Sequence, residues 1–111
     1  MQIRKTYTEV NPELLYAEIR DFALKQGVKL NDSLLETYTL PDQSADFISR
    51  GTLTFKCKNE EKACLQAHIV GSGRLETKLI FDIDESLFTE EKITALQSDI
   101  DFIFGEYEVT E

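Results

Sequence analysis

Cys57 and Cys64 are the two cysteines of this 111-residue chain, and their seven-residue spacing is the first pattern that could carry chemistry. Thiols on either side of a tight turn invite a disulfide or half of a metal site. The flanking alternation points elsewhere. Leu53, Phe55 and Cys57 share one strand face, opposite Thr52, Thr54 and Lys56. Ala63, Leu65, Ala67 and Ile69 likewise oppose Cys64, Gln66 and His68. Cys57 is therefore expected to enter a core and Cys64 to face away from it, so that no disulfide closes. Neither a second cysteine pair nor a nearby histidine completes a zinc set, and no metal or cofactor is assigned.

His68 is the single histidine. Alternation places it on an open sheet face between Thr52 and Glu76, where a carboxylate neighbour favours the charged imidazole. His68, Glu76 and Asp82 are the candidates for acid–base chemistry, and an exposed cross-strand contact accounts for them without catalysis. Gly71-Ser72-Gly73 is too short for a nucleophile elbow and lacks the Gly-Lys-Ser/Thr ending of a phosphate loop. Asp82, Asp84 and Glu85 gather where a strand ends, but the rest of a calcium-loop pattern is missing. The chain reads as non-enzymatic.

A wider constellation is more informative. By alternation Arg50, Lys56, Lys58, Lys62, Arg74 and Lys78 all project to the open face, with Glu76 and Asp82 as the main acids among them. Arg50, Lys56, Lys58, His68, Arg74 and Lys78 form the expected partner-binding surface. The remaining charge is uneven. Residues 1 to 81 carry eleven basic and eleven acidic side chains, whereas residues 82 to 111 carry ten acids and only Lys92, which accounts for the whole net charge of −9. A basic sheet face thus backs onto an acidic helical side. The partner it suits is a protein with an anionic surface, which includes the acidic helix of a second copy. Nucleic acid is excluded as a partner, because its affinity comes largely from Lys and Arg. No run of about 18 apolar residues is present to span a bilayer. The first residues lack the apolar stretch of a signal peptide, so the expected compartment is the cytoplasm, with free thiols.

These side chains need elements to hold them. The length suits one domain over 1–111, and 41% hydrophobic residues suffice for one core. Ile3, Thr6, Tyr7, Thr8 and Val10 mark a first strand. Asn11 and Pro12 then start a helix over about 12–26, with Leu15, Ile19, Phe22 and Ala23 on one face and Gly27 beyond its end. A short strand is expected over Leu34–Leu40, turned back by Pro41-Asp42-Gln43-Ser44. The apolar faces of the next two strands align if Cys57 pairs with Ala63, Phe55 with Leu65 and Leu53 with Ala67, around a loop of Asn59-Glu60-Glu61. A second hairpin aligns if Ile69 pairs with Leu75, leaving Gly71-Ser72-Gly73 as its loop. In that strand Leu75, Leu79, Phe81 and Ile83 oppose Arg74, Glu76, Lys78 and Asp82. Thr89 caps a last helix over about 90–104, with Phe88 and Ile93 at staple positions. Its apolar stripe is Ile93, Leu96, Ile100, Ile103, Phe104 and Tyr107. The fold class is α+β: a two-layer sandwich of β-α-β-β-β-β-α order, with two helices on one face of an antiparallel sheet.

This order, from Ile3 to Tyr107, resembles the helix-grip layout of TATA-binding-protein-like repeats and START-like or pollen-allergen-like carriers. The likeness lies in element order, with no family-specific motif. START-like members cradle an apolar ligand between the sheet and the C-terminal helix. The resemblance therefore implies an alternative site, a pocket for a small apolar ligand among Leu65, Ala67, Leu79, Phe81, Leu96, Ile100 and Ile103. DNA reading by the open face, as in TATA-binding repeats, does not carry over to a single acidic copy.

Overall fold

Asn11 starts the first helix as its side chain predicts: its Oδ1 accepts the Glu13 backbone N–H at 2.8 Å, and Pro12 fills the first turn. The computed structural model describes residues 1–39, 47–72 and 76–109. In chain order these form β1 (Gln2–Thr8), α1 (Pro12–Lys25), β2 (Lys29–Thr39), β3 (Phe47–Lys56), β4 (Ala63–Gly71), β5 (Glu76–Ile83) and α2 (Glu90–Phe104). A short 3-10 turn, Gly105–Tyr107, follows α2. The five strands make one antiparallel sheet in the order β1-β5-β4-β3-β2. Both helices bury one stripe on the same face of it, so the α+β two-layer arrangement stands. The turn expected at Pro41–Ser44 lies outside the described residues. Among the described residues no helix is long and apolar enough to cross a membrane.

The core is the helix-facing side of the sheet. Leu53, Phe55, Leu65, Ala67, Ile69, Leu79, Phe81 and Ile83 meet Leu15, Ile19 and Ala23 of α1 and Ile93, Leu96, Ile100 and Phe104 of α2. Gly51 sits under Tyr16: a β-carbon there would lie 2.6 Å from Tyr16 Cδ2, so only glycine lets the ring settle on β3. Gly27 ends α1 in the left-handed conformation, with φ of 87°. Ile103 and Tyr107, expected in the core stripe, are instead 43% and 41% exposed. Ile93, Leu96, Ile100 and Phe104 already complete a three-four-four spacing, and Ile103 stands at its flank. Thr89 occupies the N-cap position of α2, but its side chain makes no capping bond. The turn before it is organised by Asp84, whose Oδ1 accepts the Ser86 N–H at 3.0 Å and the Ser86 hydroxyl at 2.6 Å. These bonds hold the Asp84 carboxyl below its ordinary pKa.

Register departs from expectation at both hairpins. Leu53 pairs with Ala67 and Phe55 with Leu65, as predicted, but Lys56 pairs with Ala63 across a β-bulge. Cys64 is the extra residue, so alternation breaks there and Cys64 and Leu65 are both buried. Cys64 is a core residue and not, as alternation implied, a residue of the opposite face. In the second hairpin Ile69 pairs with Leu79, four residues beyond the expected Leu75, which itself lies outside the described residues with Gly73 and Arg74. Gly71 pairs with Thr77, where a β-carbon would stand 2.7 Å from the Thr77 Cα. This approach lets the buried Thr77 hydroxyl donate to Val10 O at 2.7 Å. Because the slip is even, every residue keeps its face while changing its neighbours.

β1 gains a further partner from the end of the chain. Val109 N–H donates to Thr6 O at 2.7 Å, and Tyr7 bridges to Glu108. Lys5, nearly buried, holds Glu108 at 3.1 Å and Asp101 at 3.3 Å. Burial would lower the Lys5 pKa; the bond to Glu108 and the two carboxylate charges outweigh it and leave it raised. Tyr7, fully buried and 6.1 Å from the Phe104 ring, has a hydroxyl with no hydrogen-bond partner among the described residues. Burial first, then Glu108 and Asp101, push its pKa upward. Burial, with Cys57 adding, pushes the Cys64 thiol from 9.0 up to about 12. Both groups stay protonated when folded at pH values where the unfolded chain loses those protons. Their stabilisation is complete below about pH 9 and is lost as pH rises through the folded values. The urea midpoint is therefore expected to be flat from about pH 7 to 8.5 and to fall above about pH 9. Cys64→Ala should delay that fall to the tyrosine range, as denaturation curves at graded pH would show.

Candidate interaction surface

Among the described residues nothing covers the side of the sheet away from the helices, and the pairings arrange it in rows. One row reads Arg4, Ile80, His68, Thr52 and Leu34 from β1 to β2. The next reads Thr6, Lys78, Val70, Arg50 and Glu36, and a third Gln2, Asp82, Gln66, Thr54 and Asp32. Ile48 pairs with Tyr38 beyond Arg50 and Glu36. Ile80, Val70, Ile48 and Tyr38 thus follow one another on a diagonal from β5 to β2, an apolar band within charged and polar side chains, while Leu34 stands apart from it beside Thr52. An apolar centre inside a polar rim is the common anatomy of a protein-binding patch. A shallow depression lined by Ile48, Val70, Gly71, Ser72, Glu76 and Lys78 lies on this face.

Of the residues expected to bind a partner, Arg50, Lys56, His68 and Lys78 share the open face. Lys58 and Lys62 fall in the β3–β4 connection, where alternation assigns no face, and Arg74 lies outside the described residues. Asp32, Glu36, Glu76 and Asp82 stand among the cations, so the face is mixed in charge and not basic. The four-residue shift in the second hairpin moves His68 from Glu76 to Ile80. Its Nε2 lies 3.5 Å from Asp82 Oδ2, and Asp82 Oδ1 also accepts Gln2 Nε2 at 3.0 Å. His68 and Asp82 are brought together, whereas Glu76 lies six residues along the strand from Asp82. The six residues Leu65, Ala67, Leu79, Phe81, Leu96 and Ile100 do converge, but as part of the packed core, and Ile103 stands apart from them.

Sequence reasoning missed the β2 end of this surface. β2 runs from Lys29, five residues earlier than expected, and lies at the sheet edge. On the open face it presents Asp32, Leu34, Glu36 and Tyr38 in alternation, with Leu34 and Tyr38 55% and 50% exposed. The Tyr38 hydroxyl donates to Glu36, which raises its pKa. On the other face Thr37 donates to Glu13 Oε1 of α1 at 3.1 Å, anchoring the strand. Among the described residues no strand pairs with the outer edge of β2, while β1 carries Glu108 and Val109 on its own. The signal available in the sequence was Leu34 and Tyr38 at even spacing with Glu36 between them.

The fold and this surface define a class: an α+β domain that, among its described residues, has one open, mixed-charge sheet face and one bare edge. Comparison of the chain with protein-family models, curated proteins and solved structures found no match.

Proposed function

We propose that this chain is a non-enzymatic protein-interaction module whose partner docks on the open sheet face and along the outer edge of β2. The observation that carries the reading is the apolar band, which meets β2 at Tyr38, on an edge that no other described strand pairs and that also exposes Leu34 four residues away. A bare edge offers main-chain donors and acceptors to an incoming strand, and alternate side chains set specificity. Asp32 and Glu36 alternate with Leu34 and Tyr38, so the complementary segment alternates basic and apolar residues. A second copy fits less well: antiparallel pairing of two β2 strands about Leu34 would set Asp32 against Glu36, on a chain of net charge −9. The unbridged Cys57 and Cys64 accord with a reducing compartment such as the cytoplasm.

The test is native mass spectrometry on protein purified gently from its host, for the natural sequence and for Leu34→Lys. An exposed position tolerates that change within about 0.5 kcal/mol. A protein complex that is present for the natural sequence and absent for the variant, with unchanged circular dichroism, is the expected result. A complex retained by the variant removes β2 from the reading. A bare monomer in both samples removes the module itself.

A further inference from the structure

Cys57 and Cys64 are not used by the interaction surface, and the bulge gives them a relation that plain alternation denies. Phe55 faces the helices, so Cys57, two residues on, does too, and the extra residue in β4 turns Cys64 to that same side. Cys57 is half-buried against the core and donates its thiol to Leu87 O at 3.3 Å. Cys64 is 1% exposed and donates to Phe55 O, on the neighbouring strand, at 3.6 Å. Burial first, and then the neighbouring Cys57 thiol, raise the Cys64 pKa. Beyond Cys57 the chain is a turn, with Asn59 at φ of 67°, and not a ladder, so its backbone has room to adjust.

We propose that Cys57 and Cys64 form a reversible dithiol–disulfide pair that responds to hydroperoxides. Cys57 is the reachable thiol and reacts first: its thiolate attacks the peroxide O–O bond, taking one oxygen as a sulfenic acid and releasing the other as water or an alcohol. The Cys64 sulfur then attacks the sulfenic sulfur. The S–O bond breaks, an S–S bond forms, and the hydroxyl leaves as water with the Cys64 proton. The two thiols lose two protons and two electrons, which reduce the peroxide. A small dithiol reverses the step by exchange. Oxidation withdraws Cys57 from Leu87 and so releases a tie to the turn ahead of α2.

The experiment uses the unmodified chain. It is treated with hydrogen peroxide, denatured, alkylated with N-ethylmaleimide and weighed intact, before and after dithiothreitol. The expected product is a monomer lighter by two hydrogens that takes up no maleimide, and that takes up two after reduction. Retention of both maleimides after peroxide overturns the proposal. So does oxygen added to Cys57 with Cys64 still alkylated, or a disulfide joining two chains.

Discussion

Phe81→Ala is expected to lower the folding free energy by about 3–5 kcal/mol, the range for truncating a buried phenylalanine. Phe81 is fully buried near the middle of the sheet, paired with Ile3 of β1 and Ala67 of β4. Nothing on the neighbouring strands is free to fill the space: Ala67 is small, and Leu79 and Ile83 are held at their own positions on β5. A domain of this size has roughly 5–15 kcal/mol in all, so the variant should sit near the edge of stability. Urea denaturation followed by circular dichroism measures the change. A loss below about 1.5 kcal/mol would mean that the sheet and α2 are not closely packed around this ring.

Ala67→Phe has the next largest effect, and it separates two readings of the same residues. Ala67 is fully buried, facing Leu53 on one side and Phe81 on the other. With the space between sheet and α2 filled by Leu65, Leu79, Leu96 and Ile100, a phenyl ring can enter only by displacing them. Overpacking of this kind costs about 1–3 kcal/mol and more where backbone must move. The START-like carrier reading expects the opposite: the ring would occupy ligand space, leave the urea midpoint near that of the natural sequence and abolish a co-purifying apolar mass. A lowered midpoint with no ligand mass in the natural protein supports the interaction module. An unchanged midpoint would reopen the carrier.

Much of the fold was legible because its signals are local. Asn11-Pro12 and Gly27 bracket α1, and the three-four spacing of Ile93, Leu96, Ile100 and Phe104 marks α2. Strand faces followed from alternation, and Leu53, Phe55, Leu65 and Ala67 took the expected register. β2 was legible in its second half only. Asn31, Asp32 and Ser33 are poor strand formers, and a strand exposed on both faces carries no buried-face period, so its first half exists through pairing with β3. For the candidate surface, Arg50, Lys56, His68 and Lys78 were placed on the correct face, while their neighbours were not. Arg4 enters that face only because β1 pairs with β5, a closure between residues about eighty apart in sequence.

What the sequence by itself determined is most of the buried set and the helices and strands that carry it, with Cys64, Ile103 and Tyr107 as the departures. Burial pattern is a local property with a period of 3.6 or 2, and it survives an even slip of register. Tertiary structure alone decided who sits beside whom. The close approach of Gly71 to Thr77 moved His68 from Glu76 to Ile80, with Asp82 as its charged contact. A single inserted residue at Cys64 turned a thiol inward, to the same side as Cys57. Such contacts depend on how nearly two backbones can meet, and that is settled only when the strands come together in space.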